Sequence, residues 1–411
     1  MMATILPIDR AGTYGAGPPG VPASADEDKS PPPVLARKGR TPHYPFARKP
    51  ASRRARTILN IFESGYRRGT MPEIRKDYAT PTWVVFSAAR SQRPGAFRNP
   101  KDPTPKESCP FCEGHEAMTP PEVLAYRERG PADGPGWSIR CVPNKFPALE
   151  HVGEVREHRD GPFVSVDGVG AHEIVVESPD HDGHLATLDD RQVERVLRAY
   201  RERYHDLAAD RRVKHVQIFK NHGERAGASF SHPHSQIIAI PIVPLRILEE
   251  MEGMRAHAAD REGECLYCEI LRRELASERR VVAENGAFVA LEPFAARFPF
   301  ETWLIPKVHA RAFEMLSDSD RGAFARILKD ILGRMYRLLD DPSFNYYIHT
   351  APVREVEGTY HWHLEITPHL TEIAGFERGT GFYINPVVPE DAASILKGEV
   401  RWPALTESSA P

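Results

Sequence analysis

The 411-residue sequence lacks a long hydrophobic run, since no apolar segment approaches the ~20 residues that a membrane-spanning helix needs. It also lacks an excess of charge of either sign, because 54 Lys and Arg residues stand against 57 Asp and Glu residues. A near-balanced charge does not favour a general binder of nucleic acid. Asp9 and Arg10 stand where a signal peptide would be apolar. The sequence therefore predicts a cytoplasmic protein with no membrane or nucleic-acid partner.

Cysteine is scarce as well, with five residues in the whole chain. Four of them form two Cys-x-x-Cys pairs, Cys109 with Cys112 and Cys265 with Cys268, whereas Cys141 has no partner by spacing. In a reducing compartment this spacing favours metal or redox chemistry over structural disulfides. A redox dithiol is the weaker interpretation, because no thioredoxin-like sequence surrounds either pair. We interpret Cys141 as a core residue.

Residues 1–70 are predicted to form a disordered tail, because they are rich in Pro, Gly, Ser and charge and cannot bury enough apolar surface. From residue 71 onward, apolar periodicity predicts strands and helices. The predicted strands lie at 82–86, 172–177, 213–220, 288–291, 301–306, 344–349 and 360–366. The predicted helices lie at 191–210, 245–259 and 319–339, and the second of these begins just after a proline.

The order of parts then repeats, which predicts an internal duplication. His181 precedes His232 by 51 positions, and His309 precedes His361 by 52. The Cys-to-His spacing is longer in the first copy, so an insertion of about 28 residues is expected within 145–170. Each copy runs through Cys-x-x-Cys, strands, His, a helix and His-x-His. The predicted fold is an α+β unit that is used twice, with halves at 71–243 and 244–400.

Each copy supplies two cysteines and two histidines at comparable positions. Two thiolates from a Cys-x-x-Cys turn and two imidazoles are a tetrahedral ligand set that suits zinc. The alternative, that the cysteines are simply small buried residues, is less favoured because the histidine spacing repeats. The predicted sets are Cys109, Cys112, His181 and His232, and Cys265, Cys268, His309 and His361. We expect zinc in the first set and zinc or iron in the second.

The two His-x-His motifs, HPHSQ and HWHLE, differ in their last residue. On an extended chain, His232, His234 and Gln236 would project from one face. A neutral imidazole can attack phosphorus, and a glutamine amide can stabilise phosphoryl oxygens, whereas Glu365 would repel a phosphate. We therefore predict that His234 and Gln236 are catalytic and that His232 is a metal ligand that aims His234. His363 is interpreted as a packed or hydrogen-bonded histidine.

The segment NHGERAGAS, at 221–229, leads directly into the first of these motifs. Small residues such as Gly227 let backbone N–H groups approach phosphate oxygens closely. Asn221 and Ser229 can add hydrogen bonds from their side chains. Alone such a loop is a weak signal, but joined to HPHSQ it predicts a phosphate-binding site.

These segments together resemble the galactose-1-phosphate uridylyltransferase family, a branch of the histidine-triad superfamily. The resemblance runs from about residue 72 to 396, and HPHSQ in its Gly/Ser context is highly specific. The C-terminal loop looks more like the branch that contains ADP-glucose phosphorylases as well as bacterial and archaeal enzymes usually labelled uridylyltransferases. The similar segments are the RSQRP loop, CPFCEGHE, SPDH, FKNHGERAGASFSHPHSQ, HWHLEITPHL and GFERGTGFYINP.

The resemblance implies a duplicated histidine-triad fold, with a mainly antiparallel sheet and flanking helices in each half, and a homodimer. It also implies ping-pong transfer of a nucleoside monophosphate between a nucleotide sugar and a sugar 1-phosphate. It implies that His234 is the nucleophile that becomes nucleotidylated and that Gln236 supports the phosphoryl group. It also implies that the nucleotide, phosphate or hexose is contacted by Arg90, Asn221, Ser229, Phe376 and Glu377.

The function predicted from the sequence is transfer of UMP between UDP-glucose and a hexose 1-phosphate, galactose 1-phosphate above all, through a uridylyl-His234 intermediate. The GTGFYIN loop motivates an alternative, a nucleotide-sugar phosphorylase that uses inorganic phosphate. Hydrolysis without an acceptor is a third enzymatic option. From a different class, the chain could be a zinc-containing protein that binds a nucleotide sugar without turnover. Intact His234 and Gln236 speak against that last hypothesis.

Overall fold

The structure, a computed structural model, describes residues 105–402 apart from 146, 150, 161, 162, 356 and 357, together with strands at 73–76 and 83–86. At 73–76, 83–86, 157–160 and 163–166 only the backbone is described. The predicted tail at 1–70 and Arg90 lie outside the described residues. None of the helices in the described part of the chain has both the length and the apolar character needed to cross a bilayer.

The described ranges contain fifteen strands and six α-helices. The strands are β1 Glu73–Lys76, β2 Trp83–Phe86, β3 Leu124–Arg127, β4 Trp137–Pro143, β5 Glu157–Asp160, β6 Phe163–Val166, β7 Ala171–Val176, β8 His215–His222, β9 His234–Ile240, β10 Val281–Glu284, β11 Phe288–Leu291, β12 Thr302–Pro306, β13 Phe344–His349, β14 His363–Pro368 and β15 Phe382–Asn385. The helices are α1 Asp190–Ala208, α2 Leu245–Asp260, α3 Leu266–Ser277, α4 Asp318–Leu338, α5 Gly375–Thr380 and α6 Pro389–Lys397.

Ten of these strands form one antiparallel sheet in the order β10-β11-β12-β14-β13-β8-β9-β7-β4-β3. The order on one side of the β13–β8 junction repeats on the other, with β14 equivalent to β9 and β12 equivalent to β7. The helix that follows β7 is α1, and the helix that follows β12 is α4. The predicted duplicated α+β fold is therefore confirmed, and its two copies join edge to edge through β8 and β13.

Both faces of this sheet are covered, because successive residues of its strands pack into different cores. In β11, Phe288 and Ala290 belong to the core beneath α1 and α4, whereas Val289 and Leu291 pack with α2 and α3. In β7, Val175 lies in the core beneath α1 and α4, whereas Ile174 packs with the segment that carries the first Cys-x-x-Cys pair. The functional side chains described below occupy the face opposite α1 and α4.

The long helices begin where their capping residues predict. Asp189 accepts a hydrogen bond from the backbone N–H of Gln192 at 2.8 Å and caps α1. Ser317 accepts one from the backbone N–H of Asp320 at 3.0 Å and caps α4. The apolar residues of α1 recur at helical spacing and are buried against the sheet. These local signals explain why the predictions 191–210 and 319–339 fall within two residues of the observed bounds.

Two local predictions are wrong. The strand predicted at 360–366 begins at His363, so that His361 precedes β14 as His232 precedes β9. The predicted common face of His232, His234 and Gln236 therefore holds only for the two residues inside β9. Helix α3 was not predicted, and its N-cap residue is Cys265. Cys265 and Cys268 belong to the second predicted metal set and lie at the start of this helix. Hydrophobic periodicity therefore gives little indication of where the helix begins.

The loop between β4 and β7 contains part of the insertion of about 28 residues predicted within 145–170, since it is 17 residues longer than its counterpart in the second copy. Residues 144–170 separate these two strands and include the β5–β6 hairpin, whereas only residues 292–301 separate the equivalent β11 and β12. Cys141 lies in β4 and is fully buried in the core, as predicted.

A glycine is required where the phosphate loop meets the second copy. Gly223 has φ 79° and ψ 159°, a conformation that is essentially confined to glycine. A Cβ atom there would lie 2.2 Å from the side-chain oxygen of Ser343, next to β13. The loop that leads to His234 is thus held against the second copy by close backbone packing.

Gly223→Ala is expected to lower the free energy of unfolding by about 3 kcal/mol, because strained φ/ψ and overpacking act together. Gly227→Ala is the matched control, since Gly227 also has a positive φ of 83° but a Cβ there meets nothing within 4 Å. Gly227→Ala should lower the free energy of unfolding by only about 1 kcal/mol. Urea unfolding of both variants measures the difference, and equal losses would contradict the close-packing argument.

Candidate active site and metal centres

The four residues of the first predicted metal set lie together. Cys112 Sγ is 3.2 Å from His181 Nδ1 and 3.6 Å from His232 Nδ1. Zn–S and Zn–N bonds of about 2.3 and 2.0 Å in a tetrahedron place sulfur and nitrogen about 3.5 Å apart. The ligand atoms of all four residues, including Cys109, fall within 4.8 Å of one another. The side chains are therefore compatible with a metal ion bound between them.

The second predicted set has the same arrangement. Cys265 Sγ and Cys268 Sγ lie 3.6 and 3.7 Å from His361 Nδ1, and Cys268 Sγ lies 3.7 Å from His309 Nδ1. All four ligand atoms again lie within 4.8 Å of one another. The structure thus brings together both sets that the spacing predicted.

His232 in the first set and His361 in the second are each oriented by a backbone carbonyl group. His232 Nε2 donates to Ser178 O at 2.8 Å, and His361 Nε2 donates to Pro306 O at 3.0 Å. This leaves Nδ1 of each ring unprotonated and directed at the cysteines. Burial lowers the pKa of His232 to about 4 and also lowers the pKa of His361, so both rings are neutral at pH 7. Neutral imidazoles with a fixed tautomer are the form that a metal ion binds.

His234 is the first residue of β9, two positions after the ligand His232, and its side chain is buried. His234 Nδ1 donates to the backbone oxygen of His232 at 2.8 Å, which leaves Nε2 with a free lone pair. Burial lowers the pKa of His234 to about 4, and the charge of Lys220 acts in the same direction. The imidazole is therefore neutral and oriented, which is the state that a nitrogen nucleophile needs.

Gln236 is held by a histidine that the sequence analysis missed. The backbone N–H of Ala148 donates to His172 Nδ1 at 3.1 Å, so the ring hydrogen lies on Nε2. His172 Nε2 in turn donates to Gln236 Oε1 at 2.8 Å. The amide N–H groups of Gln236 are left to face other acceptors. His172 is on β7, 64 positions from Gln236, and no local pattern indicates this contact.

A buried polar network supports β9 from the other side of the sheet. Lys220 Nζ donates to the backbone oxygen of His234 at 3.0 Å and pairs with Glu177 at 2.6 Å. Ser235 donates to Glu177 as well, and Tyr200 and Tyr346 donate into the same group. The network fixes the backbone of the residue that carries the imidazole. Sequence reasoning missed it, because lysine and glutamate are typical of exposed positions.

The residues predicted to contact substrate lie in different settings. Asn221 is on β8 beside the strand of His234, and Gly227 and Ser229 lie in the loop between β8 and β9. Phe376 lies in α5 and is half exposed. Glu377 Oε2 accepts the backbone N–H of Ala374 at 3.2 Å and is buried, so this carboxylate already caps its own helix.

Glu365, the counterpart of Gln236, is compensated inside the second copy. Its carboxylate pairs with Arg297, which also donates to Glu301 at 2.7 Å. His363 Nε2 lies 3.4 Å from Glu365 and His363 Nδ1 donates to the backbone oxygen of His361, as expected for a packed, hydrogen-bonded histidine. Burial alone would lower the pKa of His363, but the Glu365 carboxylate raises it. This copy holds an ion-pair cluster where the first copy has a neutral histidine, His234.

A cavity of about 530 Å³ lies where the two copies join. Its lining includes three pairs of equivalent positions on β8 and β13, namely Gln217 with Asn345, Phe219 with Tyr347, and Asn221 with His349. Phe219 is the register partner of Gln236, so the cavity adjoins the β9 residues. Its volume is sufficient for a small organic ligand.

Comparison with known proteins gives a consistent set of relatives. The model of the galactose-1-phosphate uridyl transferase N-terminal domain matches residues 66–244, and a domain of unknown function matches residues 178–400. The chain is 39% identical to ADP-glucose phosphorylase from Arabidopsis thaliana, over 79% of this chain and 92% of the relative. It is 34% identical to galactose-1-phosphate uridylyltransferase from Thermotoga maritima, over 80% of this chain and 98% of the relative.

Solved structures agree with this assignment. A crystal structure of an ADP-glucose phosphorylase from Arabidopsis thaliana with bound ADP-glucose superposes with a TM-score of 0.68 at 37% identity. That match covers 80% of this chain and 98% of the other. A uridylyltransferase structure superposes with a TM-score of 0.63 at 27% identity and the same coverage. The likeness therefore extends over both copies of the repeat.

Proposed function

The chain belongs to the galactose-1-phosphate uridylyltransferase family, and from this premise we propose that it transfers a nucleoside monophosphate from a nucleotide sugar through His234. The observation that carries the proposal is the state of His234, whose Nδ1 donates to its own strand and whose Nε2 is neutral and free. Two half-reactions that share one imidazole give ping-pong kinetics.

In the first half-reaction, the lone pair of His234 Nε2 attacks the α-phosphorus of the nucleotide sugar. A phosphorus–nitrogen bond forms, the bond to the bridging oxygen breaks, and the sugar 1-phosphate leaves with that electron pair. The N–H groups of Gln236 and Asn221 donate to the phosphoryl oxygens as negative charge develops on them. In the second half-reaction, an acceptor phosphate oxygen attacks the same phosphorus and the neutral imidazole is released.

We propose zinc as the metal of the set formed by Cys109, Cys112, His181 and His232, and zinc or iron for the second set. Zinc would supply a fixed tetrahedral cross-link and no redox chemistry. In the first set the ligand His232 lies two residues before His234. The set thereby holds the strand start from which the nucleophile projects.

For donor and acceptor we propose ADP-glucose and inorganic phosphate. The supporting observation is the 39% identity to an ADP-glucose phosphorylase, which exceeds the 34% identity to the uridylyltransferase of Thermotoga maritima. The products would be ADP and glucose 1-phosphate. The second candidate is exchange of UMP between UDP-glucose and galactose 1-phosphate, and that uridylyltransferase relative supports it.

A side-by-side assay of two donors and two acceptors tests these proposals. With ADP-glucose, inorganic phosphate is expected to give turnover at least about tenfold faster than galactose 1-phosphate, because a pocket that rejects the wrong acceptor commonly discriminates by 1–3 kcal/mol. Faster turnover with UDP-glucose and galactose 1-phosphate would instead establish the second candidate. Equal turnover with and without an acceptor would indicate hydrolysis. No turnover and no covalent label with either donor would contradict nucleotidyl transfer itself.

A further inference from the structure

The side chain of Asn345, in the second copy, contacts that of Asn221, in the first. Asn345 Nδ2 lies 2.7 Å from Asn221 Oδ1 and 3.0 Å from the backbone oxygen of Ala226. Asn345 and Asn221 are register partners across the junction of β8 and β13, and both line the cavity there. A residue of the second copy thus contacts a predicted phosphate ligand of the first.

The backbone oxygen of Ala226 determines the orientation of both amides. A carbonyl oxygen only accepts, so the Asn345 atom beside it is the donor Nδ2. Asn345 Oδ1 then faces His369 Nε2 at 2.5 Å, which makes that ring nitrogen a donor. Burial lowers the pKa of His369, and the positive charge of Arg225 acts in the same direction. The neutral ring carries a single hydrogen, and that hydrogen lies on Nε2.

The second hydrogen on Asn345 Nδ2 determines the orientation of the Asn221 amide. It is donated to Asn221, whose facing atom is therefore the acceptor Oδ1. The Nδ2 group of Asn221, with its two N–H bonds, is directed away from Asn345. Within the described residues this nitrogen makes no hydrogen bond of its own. Its donors are thereby left for an acceptor that the described residues do not supply.

We infer that Asn345 and His369 are positioning residues that hold the N–H groups of Asn221 toward the phosphoryl oxygens of a bound nucleotide sugar. This inference rests on the proposed function, in which Asn221 meets the phosphoryl group that His234 accepts. An unrestrained amide can rotate and present its oxygen, which would repel a phosphate. The His-x-His motif of the second copy itself leads to Glu365. Through the hydrogen bonds of Asn345 and His369, the second copy nevertheless contributes to the chemistry of the first.

The amide of Gln236 is oriented in the same way, by contacts within the first copy. There, the backbone N–H of Ala148 determines the tautomer of His172, and His172 occupies Gln236 Oε1. Each amide that the proposed mechanism uses is therefore bound through its oxygen, and each chain of contacts begins at a backbone group with only one possible role. Such preorganised donors need no reorientation when charge develops.

Binding measurements test the inference without turnover. Isothermal titration with ADP-glucose, and in parallel UDP-glucose, is compared with adenosine and uridine. Asn345→Ala is expected to weaken binding of the tighter nucleotide sugar about tenfold, since a hydrogen bond to a charged group is loosened. Nucleoside binding should not change, because the Asn221 amide meets phosphate and not the nucleoside. His369→Leu should behave like Asn345→Ala, whereas His369→Gln keeps a donor and should restore binding.

A double-mutant cycle separates positioning from general packing. In an Asn221→Ala background, Asn345→Ala should cause no further loss, because its effect passes through the missing amide. Thr367→Val is the matched control, since Thr367 donates at 3.3 Å to the backbone oxygen of Asn345 and not to its amide. It should bind like the wild type.

Three results would overturn the inference. Additive losses in the cycle, or equal weakening of nucleosides, would show that Asn345 acts through packing alone. Failure of the His369→Gln rescue would exclude the imidazole donor. If the wild type binds neither nucleotide sugar, the proposed function fails together with the inference, whereas normal binding with additive losses overturns the inference alone.

Discussion

His234→Ala is expected to abolish covalent labelling by a nucleotide sugar and to reduce turnover by about 10⁵-fold or more, as removal of a nucleophile does in other covalent enzymes. The reason is that the proposed mechanism assigns the nucleotide to the neutral Nε2 of His234, and alanine has no nucleophilic atom in its side chain. The measurement is acid-labile radiolabel on the protein after incubation with ADP-glucose or UDP-glucose labelled in the α-phosphate.

His363→Gln is the matched control for that experiment. His363 occupies the equivalent position in the second copy, and its Nδ1 donates to the backbone oxygen of His361, as His234 Nδ1 donates to that of His232. This variant should keep its label, provided that circular dichroism shows a folded protein. Label on the His234→Ala variant, or loss of label from folded His363→Gln, would contradict the assignment of the nucleophile.

Removal of the first metal set should have the largest effect on stability. Cys109→Ser combined with Cys112→Ser is expected to remove one equivalent of metal and to lower the thermal midpoint by about 10 °C or more. A metal bound only by the folded state contributes its binding free energy to folding. The residues of this set are up to 123 positions apart, from Cys109 to His232, so the loss would release distant strands from one another.

Cys141→Ala controls for the loss of a cysteine without the loss of a ligand. Cys141 is fully buried, so the variant should lose some packing energy but no metal. Elemental analysis of the purified proteins, with differential scanning calorimetry, gives both readouts. The double variant Cys265→Ser with Cys268→Ser should remove the second equivalent independently. An unchanged metal content in the Cys109 and Cys112 variant would show that these cysteines are only packed.

Much of the candidate site was predictable because its signals are local. A Cys-x-x-Cys turn constrains two ligands within four residues, and the parallel histidine spacing indicated which imidazoles would join each pair. HPHSQ placed the proposed nucleophile and amide two residues apart, and in β9 they project from one face. Apolar residues at helical spacing predicted α1 to within two residues at each end.

The positioning residues were not predictable, because their partners are distant in sequence. His172 reaches Gln236 across 64 positions, and Asn345 reaches Asn221 across 124. Lys220 and Glu177 carry charges that a sequence reading assigns to the surface, yet the sheet buries them as a pair. The sequence distinguished Glu365 from Gln236, but it did not identify Arg297 as the partner of Glu365.

The sequence by itself therefore determined the chemistry that the chain carries: the ligand types, the imidazole, the amides and the duplication that repeats them. The tertiary structure alone decided how those groups are oriented, because the tautomer of a ring or the rotation of an amide depends on the donor or acceptor that it faces. Antiparallel pairing of β8 with β13 brings the second copy to Asn221, and pairing of β7 with β9 brings His172 to Gln236. Strand register, a property of the assembled sheet, thus sets the direction of each N–H group.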